Sequence, residues 1–545
     1  MTNSNGAVTG GAALVHALID HEVDTVFGLP GAQIYGLFDA LAQANGSIRT
    51  IGVRHEQGAA YMAYGYARAS GRPGVYAVVP GPGMLNTGAA LLTAYGANAP
   101  VLCLTGQVTS DYLGRERGQL HELRDHLGVL RALTKWAERV EHPTQAPLLV
   151  ARAFQEMLSG RQGPVALEAP WDFFTRRAHV GRLPRLPLLP NPEPDSDQVK
   201  AAARALAAAR APMIFVGGGA LEASAAITEL AEALVAPVVS FRAGRGVVSD
   251  AHPMGLTVAS GARLWPQCDV AIAIGTRLEV PDMRWRHRPR DLKLIRIDID
   301  PAEMRRLPAD IGIVADSERA VRALLPELTR QGVQGSRRAH DIAEAKRAAA
   351  QAIRKVQPQV DYLEVIREVL PADGCFVDEI SQVGFTSWFA FPVYQPRTFV
   401  SSGYQGTLGF GFPTALGVKA AFPDRAVVSI TGDGGFMFGV QELATAAQYG
   451  INLVTVIFNN ESFGNVRRDQ QQQFAGRLIG ADLVNPDFVD LTESFGVTAR
   501  RVASPTELRP ALEDALAADA PRVIEVRIPR GTEASPWEFL QPKLP

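Results

Sequence analysis

The chain has 545 residues, 47% hydrophobic and 20% charged, with 54 basic residues against 56 acidic ones and a net charge of −2. That length exceeds a single core and predicts about three domains, while the even charge gives no electrostatic case for nucleic acid or an anionic membrane. Cys103, Cys268 and Cys375 are far apart and form no CxxC, which fits a reducing compartment and argues against a thiolate metal site. The opening "MTNSNGAVTGG" lacks a basic-then-apolar signal pattern, and no run of about 18 apolar residues is present, so the expected location is cytoplasmic.

In chain order, "TVFGL", "VYAVV" and "PVLCLTG" predict strands in the first third. "APMIFVGGG", "VAIAIG" and "KLIRIDID" follow in the middle, and "GCFVDEI", "AVVSITG" and "NLVTVIF" in the last third. Alanine-rich helical patterns such as "LLTAYGAN" and "VQELATAAQYG" lie between them. This alternation predicts an α/β chain of doubly wound parallel sheets with helices on both faces.

The proline-rich stretch Arg182 to Asp197 reads as an extended linker, and a second break falls between Arg330 and His340. The expected domains are residues 1–180, 195–330 and 355–530, with a tail over 531–545. The first and third look like copies of each other. "VYAVVPGPGMLNTGAALLTAYGANAPVLCLTGQ" and "AVVSITGDGGFMFGVQELATAAQYGINLVTVIFNN" share one order of strand, glycine turn, helix and strand. Gly81-Pro82-Gly83 stands in the first copy where Gly432-Asp433-Gly434 stands in the third, so only one copy carries the acid.

Glycines at a strand-to-helix turn let backbone approach a phosphate, and the helix N-terminus favours an anion. Asp433 in such a turn would repel a bare diphosphate unless a divalent cation lay between them. Mg²⁺ prefers hard oxygen ligands and commonly bridges protein to phosphate. Asn460, at the end of the next strand, offers a second hard oxygen where open α/β sheets bind ligands. A "GDG" taken by itself is a turn in which Asp caps a helix.

Joined to the strand and the closing "NN", the pattern resembles the signature of thiamine-diphosphate enzymes. By that resemblance Asp433, Asn460 and the backbone carbonyl of Ser462 hold Mg²⁺, and Gly432, Gly434 and Gly435 line the diphosphate. The segments "RHEQGAA", "GYARASGRPGV" and "GPGMLN" resemble the acetolactate synthase branch, as do "VDTVFGLPGAQIYGLFDAL", "IDIDPAE" and "SSGYQGTLGFGFPTALGVK". The three domains then correspond to a pyrimidine-binding, a central and a diphosphate-binding domain. The resemblance makes Glu56 the acid that shares a proton with the cofactor's pyrimidine ring. A carboxyl in a water-poor setting suits that task because desolvation raises its pKa. It also makes Leu408 the wedge that bends the cofactor, Gly406 a carbonyl acceptor for its amino group, and Gln119 an active-site glutamine. Gln382 matches a glutamine near the diphosphate. Glu56 and Asp433 come from different subunits in the family, which implies a homodimer or homotetramer.

The chain departs from that branch at named positions. Asn465 and Asp469 stand where a "GMVxxW" pattern has Met and Trp, Gly118 where Phe precedes the glutamine, and Val383 where His follows Gln382. These changes predict a roomier, more polar pocket. The expected reaction is decarboxylation of a 2-oxoacid followed by carboligation to a second carbonyl compound. The alternative is a thiamine-diphosphate-dependent C–C lyase or decarboxylase, one resembling benzaldehyde lyase or 2-hydroxyacyl-CoA lyase and acting on a 2-hydroxy ketone. Leu29 and Ala32 fit the loop of such lyases, but Gln33 stands in place of their histidine. The glycine runs "FVGGGA" and "IGTRLE" leave FAD or a nucleotide open for the central domain and are weak signals alone. His55 and His121 are read as proton shuttles or as structural histidines, and the tail with Trp537 and Phe539 as a lid or a packed end.

Overall fold

A computed structural model of the chain, described over residues 6–44, 46–285 and 287–542, contains three six-stranded sheets in which every pairing is parallel. The first five residues of the polar start and the last three of the tail lie outside the described residues. The first sheet runs Arg49–Gly52, Thr25–Gly28, Gly74–Val78, Val101–Gln107, Val165–Pro170, Trp136–Arg139 across its width. The third runs Phe399–Val400, Cys375–Val377, Val427–Gly432, Val454–Asn459, Arg522–Arg527, Thr498–Val502. Numbered by position in the chain, both sheets have the order 2-1-3-4-6-5. The two stretches that look like copies therefore occupy the same two central strands of two equivalent sheets.

The central sheet is wound differently. Its order is Gly255–Thr257, Val238–Ser240, Pro212–Val216, Val270–Ile274, Lys293–Asp298, Ile311–Val314, or 3-2-1-4-5-6. In that order the winding reverses between the first and fourth strands, where such sheets open a crevice for a ligand. No regular element covers 179–195, so the proline-rich linker remains extended until Asp195 caps the helix Ser196–Ala207. Among the described residues no helix is long and apolar enough to cross a membrane.

Two helices of small residues join the first and third domains. Glu56–Ser70 is buried almost all round, as is Gly411–Ala421, and a helix without a polar face must be covered on every side. At their crossing, a side chain at Gly65 would overlap the Thr414 carbonyl, and one at Gly417 would overlap the Met62 carbonyl. The opposite side of the first helix meets the sheet, where a side chain at Gly74 would overlap the Ala63 carbonyl. Sequence as plain as "EQGAAYMAYGYARAS" thus fixes a contact of backbone against backbone. The loop before Gly411–Ala421 also leans on the first domain, with the hydroxyls of Thr407 and Thr93 2.8 Å apart.

Candidate cofactor site

Parallel register brings distant residues to one place. Val427–Gly432 pairs with Val454–Asn459, Gly432 lying opposite Phe458. Asp433 and Asn460 therefore leave adjacent strand ends although twenty-seven positions separate them. Asp433 opens a single helical turn, Asp433–Phe436. A side chain at Gly434 would overlap the Phe463 ring, and one at Gly435 would press on Glu379 at 3.2 Å, while Gly432 has ordinary space with Ser381 at 3.4 Å. Local packing thus requires glycine at position 434 independently of any ligand.

The polar groups of this corner hold one another. Asp433 Oδ2 accepts from Asn485 Nδ2 at 2.7 Å, and the backbone N–H dipoles of Gly434 and Ser462 lie close enough to its carboxylate to favour its charge. Burial pushes the Asp433 carboxyl above the usual range, and these donors oppose that shift. Asn460 Oδ1 accepts from both the backbone N–H and the hydroxyl of Ser462, each at 3.0 Å. Asn459, next in the chain, is turned into the interior. Its Nδ2 donates to Glu525 Oε1 at 2.7 Å and its Oδ1 accepts from Asn485 at 3.2 Å. A line from buried Glu525 and Asn459 through half-buried Asn485 therefore ends on Asp433. Sequence reading assigned no task to Asn459 and did not single out Asn485 or Glu525.

The same corner contains Gln382, first residue of the helix Gln382–Ala390, which is capped by the Ser381 hydroxyl. Gln382 Oε1 is buried with no hydrogen-bond partner among the described residues. A side chain at Gly464 would lie 3.0 Å from Asn460 Nδ2 and 3.5 Å from Gln382 Cγ, so all three share one pocket wall. The Asp433 carboxylate and the Asn460 amide oxygen, leaving adjacent strand ends, are hard-oxygen donors of the kind that suits Mg²⁺. No cluster of three His, Cys, Asp or Glu side chains occurs among the described residues, so a hard cation here relies on amide and carbonyl oxygens. Behind the corner, Glu379 accepts the backbone N–H of Gly411 at 2.9 Å, and Asp378 accepts the Trp388 indole N–H at 2.6 Å. Burial pushes the Asp378 carboxyl up to about 7 and the Glu379 carboxyl up to about 8.

The tail reaches the same place. Glu533 Oε2 accepts from Asn460 Nδ2, and its carboxyl is pushed up to about 7 by burial, with the Asp433 charge adding to the shift. The tail packs along the third domain instead of extending from it. Arg468 Nη1 donates to the Ser535 hydroxyl at 2.9 Å, and Trp537 Nε1 donates to Asn465 Oδ1 at 2.7 Å. Trp537 also lies 5.2 Å from Phe385, centroid to centroid. The two positions that depart from "GMVxxW" have partners of their own: Asn465 meets Trp537 and Asp469 pairs with Arg468 at 2.8 Å.

Glu56 lies in the first domain at the start of its helix, four residues after its strand ends at Gly52. Asn86 Nδ2 donates to Glu56 Oε2 at 3.0 Å, and a side chain at Gly83 would come within 3.2 Å of Glu56 Oε1. His55 caps the helix, its Nδ1 accepting from Gln57 N at 3.1 Å. The third domain grips this turn through Glu442, which accepts the backbone N–H of His55 at 2.9 Å and of Arg54 at 3.1 Å. Tyr449 adds its hydroxyl to the N–H of Gly52 at 2.8 Å. Among the described residues no hydrogen bond joins Glu56 to Asp433, Asn460 or Ser462.

Gln119 lies half-buried on a loop whose Gly118 and Gln119 N–H groups donate to Glu122 Oε2 at 2.6 and 3.0 Å. The loop is tied to buried Gln33, which donates to the Leu120 carbonyl at 2.5 Å and accepts from His121 Nδ1 at 2.9 Å. Gln33 and His121 both take positive φ, at 72° and 62°, and such strain clusters at functional loops. Leu408 is half-buried just beyond the left-handed Gly406 (φ 56°).

A separate cleft of about 1360 Å³ opens at the switch point of the central sheet. Gly217–Gly219 and Gly275 meet there so closely that side chains at Gly217 and Gly275 would overlap the facing backbone. Arg68, Arg161, Arg242, Arg277 and Arg397 line it.

Three family models match in turn: the thiamine pyrophosphate enzyme N-terminal TPP-binding domain over residues 8–129, the central domain over 199–324 and the C-terminal TPP-binding domain over 379–526. A probable 2-ketoarginine decarboxylase of Pseudomonas aeruginosa is 34% identical, covering 95% of this chain and 94% of its own length. A probable acetolactate synthase large subunit of Methanocaldococcus jannaschii is 35% identical, covering 95% and 92%. The acetolactate synthase isozyme 3 large subunit of Escherichia coli is 31% identical, covering 93% and 92%. With all three domains matched along full-length relatives, the chain belongs to the thiamine pyrophosphate enzymes, in the branch similar to acetolactate synthases.

Proposed function

We propose that the protein is a Mg²⁺- and thiamine-diphosphate-dependent enzyme that decarboxylates a 2-oxoacid and joins the remaining acyl unit to a second carbonyl compound. The observation that carries this reading is the convergence of Asp433, Asn460 and Ser462 on adjacent strand ends, beside the unpartnered oxygen of Gln382. When bound, thiamine diphosphate supplies a nucleophilic carbon and a sink for the electrons released with CO₂. Asp433, Asn460 and the Ser462 carbonyl would hold Mg²⁺, and Gly432, Gly434, Gly435 and Gln382 would line the diphosphate. Glu56 would share a proton with the pyrimidine ring, the Gly406 carbonyl would accept from its amino group, and Leu408 would impose the bent shape. Gln119, on the loop tied to Gln33 and His121, would orient the substrate.

The Glu56 turn is gripped from the Glu442 side of its own third domain, and the other face of the site is left to a partner. Leu85, Leu92 and Leu120 of the first domain and Met437 and Phe438 of the third are exposed, and a partner subunit that covered them together would bury an apolar surface. A homodimer, or a tetramer built from it, would bring the Glu56 of one subunit to the Asp433 corner of the other. The arginine-lined cleft fits the phosphates of FAD or another nucleotide; a visible absorption spectrum of the purified protein tests for FAD.

A decarboxylase without an acceptor step is the second reading, favoured by the full-length similarity to a probable 2-ketoarginine decarboxylase. Incubation with pyruvate and with 2-ketoarginine, in Mg²⁺ and thiamine diphosphate, separates the two. A new C–C bond in the product supports carboligation, and aldehyde with CO₂ supports decarboxylation. No cofactor-dependent CO₂ from any 2-oxoacid would overturn both.

A further inference from the structure

We infer that Glu533 is a positioning residue for the cation ligand Asn460, delivered by the docked C-terminal tail. The inference rests on the reading of Asn460 as a Mg²⁺ ligand and extends it to a residue outside the motif that runs from Gly432 to Asn460.

An asparagine amide presents an oxygen at one end and an N–H₂ at the other, and only the oxygen can serve a cation. Which end faces the site depends on what the other end meets. Here Asn460 Nδ2 donates to Glu533 Oε2, and Asn460 Oδ1 is turned to Ser462. In this contact the Glu533 oxygen is the acceptor, so it engages the N–H₂ end of the amide and leaves the carbonyl end free for the site. That contact holds the amide with its oxygen toward Ser462. Outer partners of this kind orient ligands and change metal affinity without touching the metal.

Glu533 arrives at Asn460 because the tail just after it is fastened to two different elements. At the first, the Ala534 N–H donates to the Gln357 carbonyl at 2.9 Å, and Gln359 Nε2 donates to the Ala534 carbonyl at 2.6 Å. At the second, Ser535 and Trp537 bond to Arg468 and Asn465 of the helix Gly464–Gln473. The polar residues of that helix thus anchor the segment that carries Glu533, and Trp537 brings an aromatic ring from the tail to a helix that lacks one there.

The test is calorimetric titration of Mg²⁺ into cation-stripped full-length protein in saturating thiamine diphosphate, with circular dichroism confirming the fold of each variant. Glu533→Ala is expected to weaken Mg²⁺ binding roughly 10- to 100-fold. Glu533→Gln retains an acceptor oxygen for Asn460 and is expected to restore most of the affinity. Trp537→Ala, remote from the cation, should weaken binding in the same direction by loosening the tail. Unchanged affinity in Glu533→Ala overturns the inference, and unchanged affinity in Trp537→Ala overturns delivery by the tail. Glu533→Gln as weak as Glu533→Ala would point to charge or direct ligation and overturn orientation. Wild-type protein with no Mg²⁺-dependent cofactor binding would sink the metal-site reading and this inference together, whereas normal wild-type binding beside an unchanged Glu533→Ala sinks this inference alone.

Discussion

Glu442 of the third domain accepts the backbone N–H of His55 in the first domain at 2.9 Å, immediately before Glu56. Its carboxylate also takes the N–H of Arg54 and the Thr445 hydroxyl, so one buried acid holds the turn from which the proposed proton-sharing acid projects. Glu442→Ala leaves two backbone donors without partners, a loss of about 1–3 kcal/mol each where water cannot replace the carboxylate. The melting temperature should fall by several degrees and kcat should fall with it. Normal melting and normal turnover together would show that the grip does not matter.

Glu56→Gln should bind thiamine diphosphate as the wild type does and lose turnover by roughly 10²- to 10⁴-fold, the range for removing a proton-transfer group. Equilibrium dialysis of the cofactor and a CO₂ assay separate the two effects. Full activity in the variant would remove Glu56 from the chemistry.

Asn485 is expected to act on the cation through Asp433, to which it donates at 2.7 Å. Asn485→Ala should raise the Mg²⁺ concentration for half-maximal cofactor binding about 10-fold or more. An unchanged Mg²⁺ requirement would reduce the line from Glu525 to a packing feature.

Asp378 and Glu379 give stability an alkaline weakness. Their carboxyls, at about 7 and about 8 when folded, titrate near 4 in an unfolded chain. The folded state holds these protons over that window, so their contribution is fully present below about pH 4 and is lost as pH rises through the folded values. At about 1.4 kcal/mol per pH unit, each contributes on the order of a few kcal/mol across the window. Melting curves at about pH 5 and about pH 9 should show a smaller drop for Glu379→Gln than for the wild type. An equal drop would place the proton elsewhere.

The strands that the sequence reveals are the uniform ones. "VVSITG" and "VTVIF" are dense in β-branched residues and carry no charge because they lie in the middle of a parallel sheet covered on both faces. Val165–Pro170 and Arg522–Arg527 occupy equivalent places in the two related sheets and escape a search for apolar runs, because each contains a buried acid, Glu168 or Glu525. Glu168 is neutralised by Arg139 at 2.5 Å, and Glu525 by Arg501 at 2.6 Å. Neither partner is near in sequence, so local pattern cannot forecast the pairing. The site divides the same way. Asp433 and Asn460 belong to a motif with a fixed spacing, whereas Asn485, Glu442 and Glu533 act through contacts that only the folded chain creates. The changes at Asn465 and Asp469 read as a more polar pocket in sequence; in the fold both side chains are engaged, one by the tail and one by Arg468.

Gly65→Ala should be poorly tolerated, since the added methyl would overlap the Thr414 carbonyl and overpacking costs about 1–3 kcal/mol or more when backbone must shift. A normal melting temperature would mean that the crossing has slack.

That crossing constrains motion as well as stability. Where two helices meet backbone to backbone on both sides, sliding or swinging one past the other would drive carbonyls into glycines within a fraction of an ångström. The first and third domains of one chain must therefore travel as a single block through the catalytic cycle. In the proposed site, admission of substrate and escape of product would fall to thin peripheral elements, the loop around Gln119 and the tail around Trp537. Turnover limited by such elements should respond to solvent viscosity, while a cycle limited by a bond-breaking step should not.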